Sequence, residues 1–131
     1  MWGGTGPTTL SPVVMLQKRI VRIIAGEHFL SHTGPIFRRL EILKVGDIHK
    51  YLVALYVFSH KSQFIHNCPN PYTTRESGSM VPLFQRLSLT QRSMTYYGPQ
   101  TWNSLPDTVR NVSDYAKFKK LTKKYLVDLY K

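Results

Sequence analysis

The chain has 131 residues, 42% of them hydrophobic and 12% aromatic. That leaves room for one modest packed domain and is too apolar for a disordered tail. Eighteen Lys+Arg against seven Asp+Glu give a net charge of +11, which selects anionic partners, phosphates or anionic lipid surfaces, over acid-seeking ones.

Cys68 stands alone, so no internal disulfide is expected. No leader-like run opens the chain, and charge interrupts every apolar stretch short of a membrane span. The expected setting is intracellular, nucleus or cytoplasm, neither secreted nor transmembrane. Residues 1–11 are rich in Gly and Thr and read as a loose segment ahead of a single domain over 12–131.

The first predicted helix covers 12–25, with Ser11 as N-cap, Pro12 in the first turn and Gly26 at the exit. Val13, Leu16, Ile20, Ile23 and Ile24 share one face at helical spacing and are the expected core side. Lys18, Arg19 and Arg22 share the opposite face, and no acid lies between Met1 and Gly26. Such a face is either solvated or set against phosphates.

His28 and His32 are four apart, but Gly26 and Gly34-Pro35 argue against the shared helix that a metal pair would need. Thr33 is expected to cap a short helix over 35–42, with Ile36, Phe37 and Leu40 inward. A stronger helix is predicted over 47–61, opened by Asp47 and striped by Ile48, Leu52, Leu55, Tyr56 and Phe58 or Ser59. Lys50 and Lys61 belong to it. Residues 63–80 hold Pro, Asn, Ser, Thr and Gly and read as a loop. His60, His66 and Cys68 lack a fourth ligand, so no metal site is expected.

Weak alternation over 81–97 suggests a small β-hairpin ending in Tyr96 and Tyr97. Gly98 would free the backbone, Pro99 would start one helical turn, and Trp102 would be the core peg. Leu105-Pro106 would stop that turn. The last helix is predicted over 114–130 after a Ser113 cap, with Tyr115, Phe118, Leu121, Tyr125 and Leu129 on its inner face. Lys117, Lys119, Lys120, Lys123, Lys124 and Lys131 take the outer face, relieved only by Asp128 and more cations than a helix C-terminus requires. The fold class is therefore mainly α: four to five helices with a short hairpin before the Trp102 turn.

The segment Gly98-Pro99-Gln100-Thr101-Trp102-Asn103-Ser104-Leu105-Pro106 resembles the Gly-Pro-x-x-Trp-Asn-x-Leu-Pro stretch of LINE-like, jockey-type non-LTR retrotransposon reverse transcriptases, near their C-terminus. Trp2-Gly3 followed by LQKRIVRIIAG is similar to the thumb of the same proteins. HTGPIFRRLEILKVGDIHKYL resembles the next segment, and TTRESGS the family's Thr-Arg-Ser loop, although CPNP before it departs from the pattern. The resemblance runs over essentially the whole chain. It implies the thumb and post-thumb tail, downstream of the catalytic palm.

The family's polymerase centre is a Tyr/Phe-Ala-Asp-Asp turn plus another Asp, holding two metal ions. No such turn occurs here; Asp47, Asp107, Asp114 and Asp128 each stand alone. The expected role is non-catalytic, with no cofactor and no small-molecule substrate. RNA or DNA would be held by its phosphate backbone, and the palm of a parent polyprotein would be a further partner. Candidate contacts are Lys18, Arg19 and Arg22, then Lys117, Lys119, Lys120, Lys123 and Lys124; Gly98, Pro99, Trp102, Leu105 and Pro106 are candidate anchors. The rival readings are a basic amphipathic-helix module for a protein partner or an anionic membrane, and a mobile-element remnant without function.

Overall fold

Regular structure in the computed structural model is helical throughout the described residues, 7–65, 79–80, 86 and 93–130. The helices are α1 Pro7–Ala25, α2 Thr33–Arg39, α3 Val45–Ser59, α4 Lys61–Ile65, α5 Met94–Asn103, α6 Asp107–Arg110 and α7 Tyr115–Asp128. The fold is mainly α. The hairpin is not found: Met94, Tyr96 and Tyr97 form the first turn of α5, where the Tyr97 amide donates to the Ser93 carbonyl at 2.9 Å. The rest of the expected hairpin, and most of the 63–80 loop, lie outside the described residues. Packing divides the chain into two units, residues 1–51 with 123–131 and residues 52–122.

In the first unit, α1 starts at Pro7 rather than Pro12. Pro at a first helical position loses no bond, because that N–H has no partner in any case. Pro12 lies inside the helix. The predicted inner face of α1 is its outer one. Val13, Leu16, Ile20, Ile23 and Ile24 are exposed, Ile23 by 78%. The packed side carries Val21, 2% exposed, with Gln17 and Ala25 half-buried. Val21 joins Ile36, Phe37, Leu43, Leu126, Val127 and Tyr130 in one cluster.

The C-terminal ends of α1 and α2 follow from local rules. At Gly26, φ is +67°; its amide donates to Ile23 and that of Glu27 to Arg22, the paired bonds of a left-handed helix stop. Glu41 takes the same role after α2 at φ +51°, with Ile42 donating back to Phe37 at 3.0 Å. Thr33 is the first, buried residue of α2 and not its cap; His32 precedes it in extended conformation.

In the second unit, the aromatic rings organise the core. Trp102 is 3% exposed and Phe118 fully buried. Phe118 stacks on Trp102 at 5.6 Å and on Phe58 at 4.3 Å. Burying side chains of this size contributes roughly 1.5–3 kcal/mol each. The α3 stripe is shifted from expectation: Val53, Ala54, Leu55 and Val57 are buried, while Leu52 and Tyr56 are exposed. Lys61 is not in α3. It starts α4 and places Nζ 4.5 Å from the Phe58 ring centre and 4.8 Å from that of Trp102. Burial lowers its pKa, and the ring faces favour the cation that burial penalises.

Gly98 and Pro99 also differ from the role expected of them. Both lie inside α5 and both are buried. Gly98 is there for space, not for backbone freedom: a Cβ would sit 3.1 Å from Val57 Cγ2 and 3.2 Å from Phe64 Cε1. After Asn103 the chain leaves α5, the Ser104 hydroxyl donating to the Thr101 carbonyl at 2.7 Å. Leu105 is buried, and Pro106 precedes α6 in extended conformation.

Candidate nucleic-acid interface

Helix α7 is set by its first residues. The Asp114 carboxylate accepts from the Ala116 and Lys117 amides at 3.2 and 3.3 Å. Asp114 is thus the cap in place of Ser113, and its charge suits the helix N-terminus. The inner face is also rotated from the predicted one. Phe118, Thr122, Leu126, Val127 and Tyr130 are buried, whereas Tyr115, Leu121 and Leu129 are exposed. Thr122 is accommodated because its hydroxyl donates to the Phe118 carbonyl at 2.8 Å.

Lys117, Lys119, Lys120, Lys123 and Lys124 are all exposed. At 3.6 residues per turn they fall within an arc of about 160° and along about 10 Å of the axis. That length equals the rise of roughly three nucleotides on one duplex strand. Among the described residues none of the five makes an ion pair. Five of the six acids among the described residues have other partners. Glu27 pairs with Arg39 at 3.4 Å, Asp47 with Lys50 at 3.5 Å and Asp128 with Arg38 at 3.8 Å. Asp107 pairs with Arg110, and Asp114 caps the helix.

The α1 cations divide. Lys18 and Arg19 are exposed. Arg22 is half-buried, and its Nε donates to the Ser31 carbonyl at 2.9 Å. Arg22 therefore ties α1 to the following connector and is a structural residue first. Arg110 is turned inward, its side chain 17% exposed, with Nε and Nη1 meeting no acceptor. It adds no charge to the outer face of α7.

Three polar residues that the sequence did not single out as important hold the backbone. The Gln17 amide donates to the Leu43 carbonyl at 2.8 Å and accepts from the Val45 amide at 3.0 Å. The Asn103 amide does the same for one residue, accepting from the Met80 amide at 2.9 Å and donating to its carbonyl at 2.7 Å. Tyr130 is the third: its hydroxyl accepts from the Lys44 amide and donates to Asp47, both at 2.9 Å. An Asn or Gln side chain has the donor and acceptor of a peptide unit, so it can serve a short extended segment as a neighbouring strand would. Asn103 lies directly after Trp102, and Gln17 directly before Lys18. Nothing in composition or period marks them.

Among the described residues no three His, Cys, Asp or Glu side chains come close enough to share a metal ion. Nor is any helix there long and apolar enough to cross a membrane. Chemically, the α7 face offers five ammonium groups, with the Asp128 carboxylate on the same side one turn beyond Lys124. Its capacity is for anions in a row. No family model, no curated protein and no solved structure matches the chain.

Proposed function

We propose that the chain grips nucleic acid by the phosphate backbone, as the non-catalytic C-terminal part of a retrotransposon reverse transcriptase. The lysine face of α7 carries this reading: five exposed ammonium groups on one helical arc, none of them in an ion pair among the described residues. Contacts of this kind fix a duplex in place and carry no sequence code. The polymerase link rests on the motif resemblance around Trp102. In that setting the chain contributes to holding primer and template, the carboxylate metal centre belongs to the palm of the parent polyprotein, and the site of action is the nucleus or cytoplasm.

Fluorescence anisotropy with labelled DNA duplex and RNA–DNA hybrid tests it. Contact with about four to six phosphates gives log K falling against log salt with a slope of roughly −4 to −5. Affinity is expected to change little with base sequence. Equal binding at low and high salt, or a marked preference for one sequence, would sink the proposal.

A further inference from the structure

The apolar stripe of α1 has no counterpart in the lysine face and calls for its own explanation. Val13, Leu16, Ile20, Ile23 and Ile24 are between 47% and 78% exposed. Exposure continues past the helix, where Phe29 and Leu30 of the connector are 70% and 72% exposed. A run of large apolar side chains on one outward helix face is more than scattered surface hydrophobes. Arg19 borders the stripe, about 40° round the helix from Ile23. Lys18 and Arg22 lie on the other side of the helix, about 100° or more from the nearest stripe residue, and Arg22 is tied to Ser31. Residues 1–26 contain no acid, and the next one, Glu27, is paired with Arg39.

We propose that this face of α1 docks on an anionic membrane surface. The stripe lies in the boundary between headgroups and acyl chains, and Arg19 at its edge meets the lipid phosphates. Apolar burial and anionic attraction act together in such helices, and neither suffices alone. A second copy of the chain is disfavoured by charge, since pairing two stripes would bring two Arg19 edges together with no acid in residues 1–26 to offset them. A folded protein partner needs a matching seam. The exposed residues here form a convex helix side and a loop, which a deformable lipid surface accepts more readily.

Co-sedimentation with vesicles tests this. One set contains phosphatidylcholine only; the other contains roughly one-third phosphatidylserine. The whole chain is expected to bind the second set, less at high salt, and to ignore the first. The variant Leu16→Gln/Ile20→Gln/Ile23→Gln is expected to bind at least about tenfold more weakly, with unchanged affinity for DNA duplex. Lys120→Gln in α7 is expected to weaken duplex binding while retaining the stripe-dependent part of vesicle binding. If circular dichroism shows the triple variant unfolded, Ile23→Gln alone, at the most exposed position, gives a smaller drop in the same direction. Undiminished vesicle binding by the stripe variant assigns the association to diffuse charge and overturns the proposal. So does failure to bind anionic vesicles at low salt. Stripe-dependent self-association, or stripe-dependent binding of an acidic protein, without vesicle binding assigns the face to that partner instead.

Discussion

The Tyr130 hydroxyl donates to the Asp47 carboxylate at 2.9 Å across 83 residues of sequence. The same oxygen accepts from the Lys44 amide, so one phenol fastens the start of α3 near the end of the chain. Gln17 holds the neighbouring backbone at Leu43 and Val45. The connector between α2 and α3 is thus fixed by side chains from two distant parts of the sequence. Asp47 has three uses: it accepts from Tyr130, pairs with Lys50 and places a negative charge in the first turn of α3.

Tyr130→Phe isolates this hydroxyl, because the ring contacts with Phe37 and Lys44 survive. The loss is expected to be about 1.5–3 kcal/mol, since the bond reaches a charged acceptor and the Lys44 amide is left unpaired. The pH dependence has a definite sign. Burial, with smaller opposing and reinforcing effects from Lys44 and Asp47, pushes the phenol above the ordinary tyrosine range. The unfolded chain therefore gives up this proton at lower pH than the folded one. Its contribution is complete below about pH 10 and is lost as pH rises through the folded value. Urea midpoints measured from pH 7 to pH 11 should show the gap between wild type and Tyr130→Phe narrowing above pH 10. A constant gap would show that the phenol titrates alike in both states.

Asn103→Ala removes both bonds to Met80. Met80 is 6% exposed, so its amide and carbonyl lose partners that water replaces poorly. A cost of about 1–3 kcal/mol is expected. Asn103→Asp retains the acceptor and loses the donor, and should fall between. Hydrogen exchange at the Met80 amide provides a local readout: protection should drop in Asn103→Ala and persist in Asn103→Asp. Unchanged protection in the alanine variant would mean that the amide is shielded without the Asn103 bond.

Helical periodicity showed that Val13, Leu16, Ile20, Ile23 and Ile24 share a face, and they do. It did not show which face packs, because that depends on what else the fold brings near. In α1 the packed side is the one where Val21 joins the buried cluster and Gln17 reaches Leu43 and Val45. Over 115–130, Phe118 and Tyr125 were legible as inward, but Thr122 and Tyr130 were not: Thr122 makes one specific hydrogen bond and Tyr130 two, which no hydropathy pattern encodes. Tyr96 and Tyr97 suggested a strand by propensity. Helix α5 includes them because its packing against Val57 and Phe64 at Gly98 outweighs an intrinsic preference of a fraction of a kcal/mol. The lysines of α7 were legible throughout, since charge has no reason to be anywhere but outside. Arg22 was not, because its carbonyl partner, Ser31, lies beyond the helix.

Gly98→Ala sets two effects against each other. Inside a helix the change should gain up to about 1 kcal/mol of propensity. The added methyl meets Val57 and Phe64 at 3.1 and 3.2 Å, and both are buried, at 0% and 6% exposure. Overpacking of that kind costs about 1–3 kcal/mol. The net effect is expected to be destabilising. In a Val57→Ala background the nearer clash is relieved, so Gly98→Ala should cost less there. Thermal unfolding of the four members of this cycle measures the coupling. A stabilising Gly98→Ala in the wild-type background would show that α5 can move away from its neighbours.

Lys120 is the position where stability and binding are expected to part. On α7 it lies three residues from Lys117 and Lys123 and four from Lys124, so three of the like-charge pairs on that face share it. Each such pair is unfavourable by roughly 0.2–0.5 kcal/mol at low salt. Lys120→Gln keeps helix propensity nearly unchanged and should raise stability by up to about 1 kcal/mol, a gain that shrinks as salt screens the repulsion. The same change removes one phosphate contact if the face holds a duplex. Affinity should then fall, and the salt slope should lessen by about one unit. Lys50→Gln, on a residue paired with Asp47, is the control: no gain in stability and less loss of binding. Calorimetry and anisotropy on the same two variants separate the outcomes. A more stable Lys120→Gln with undiminished duplex binding would mark the face as solvated surface and move the grip elsewhere on the chain.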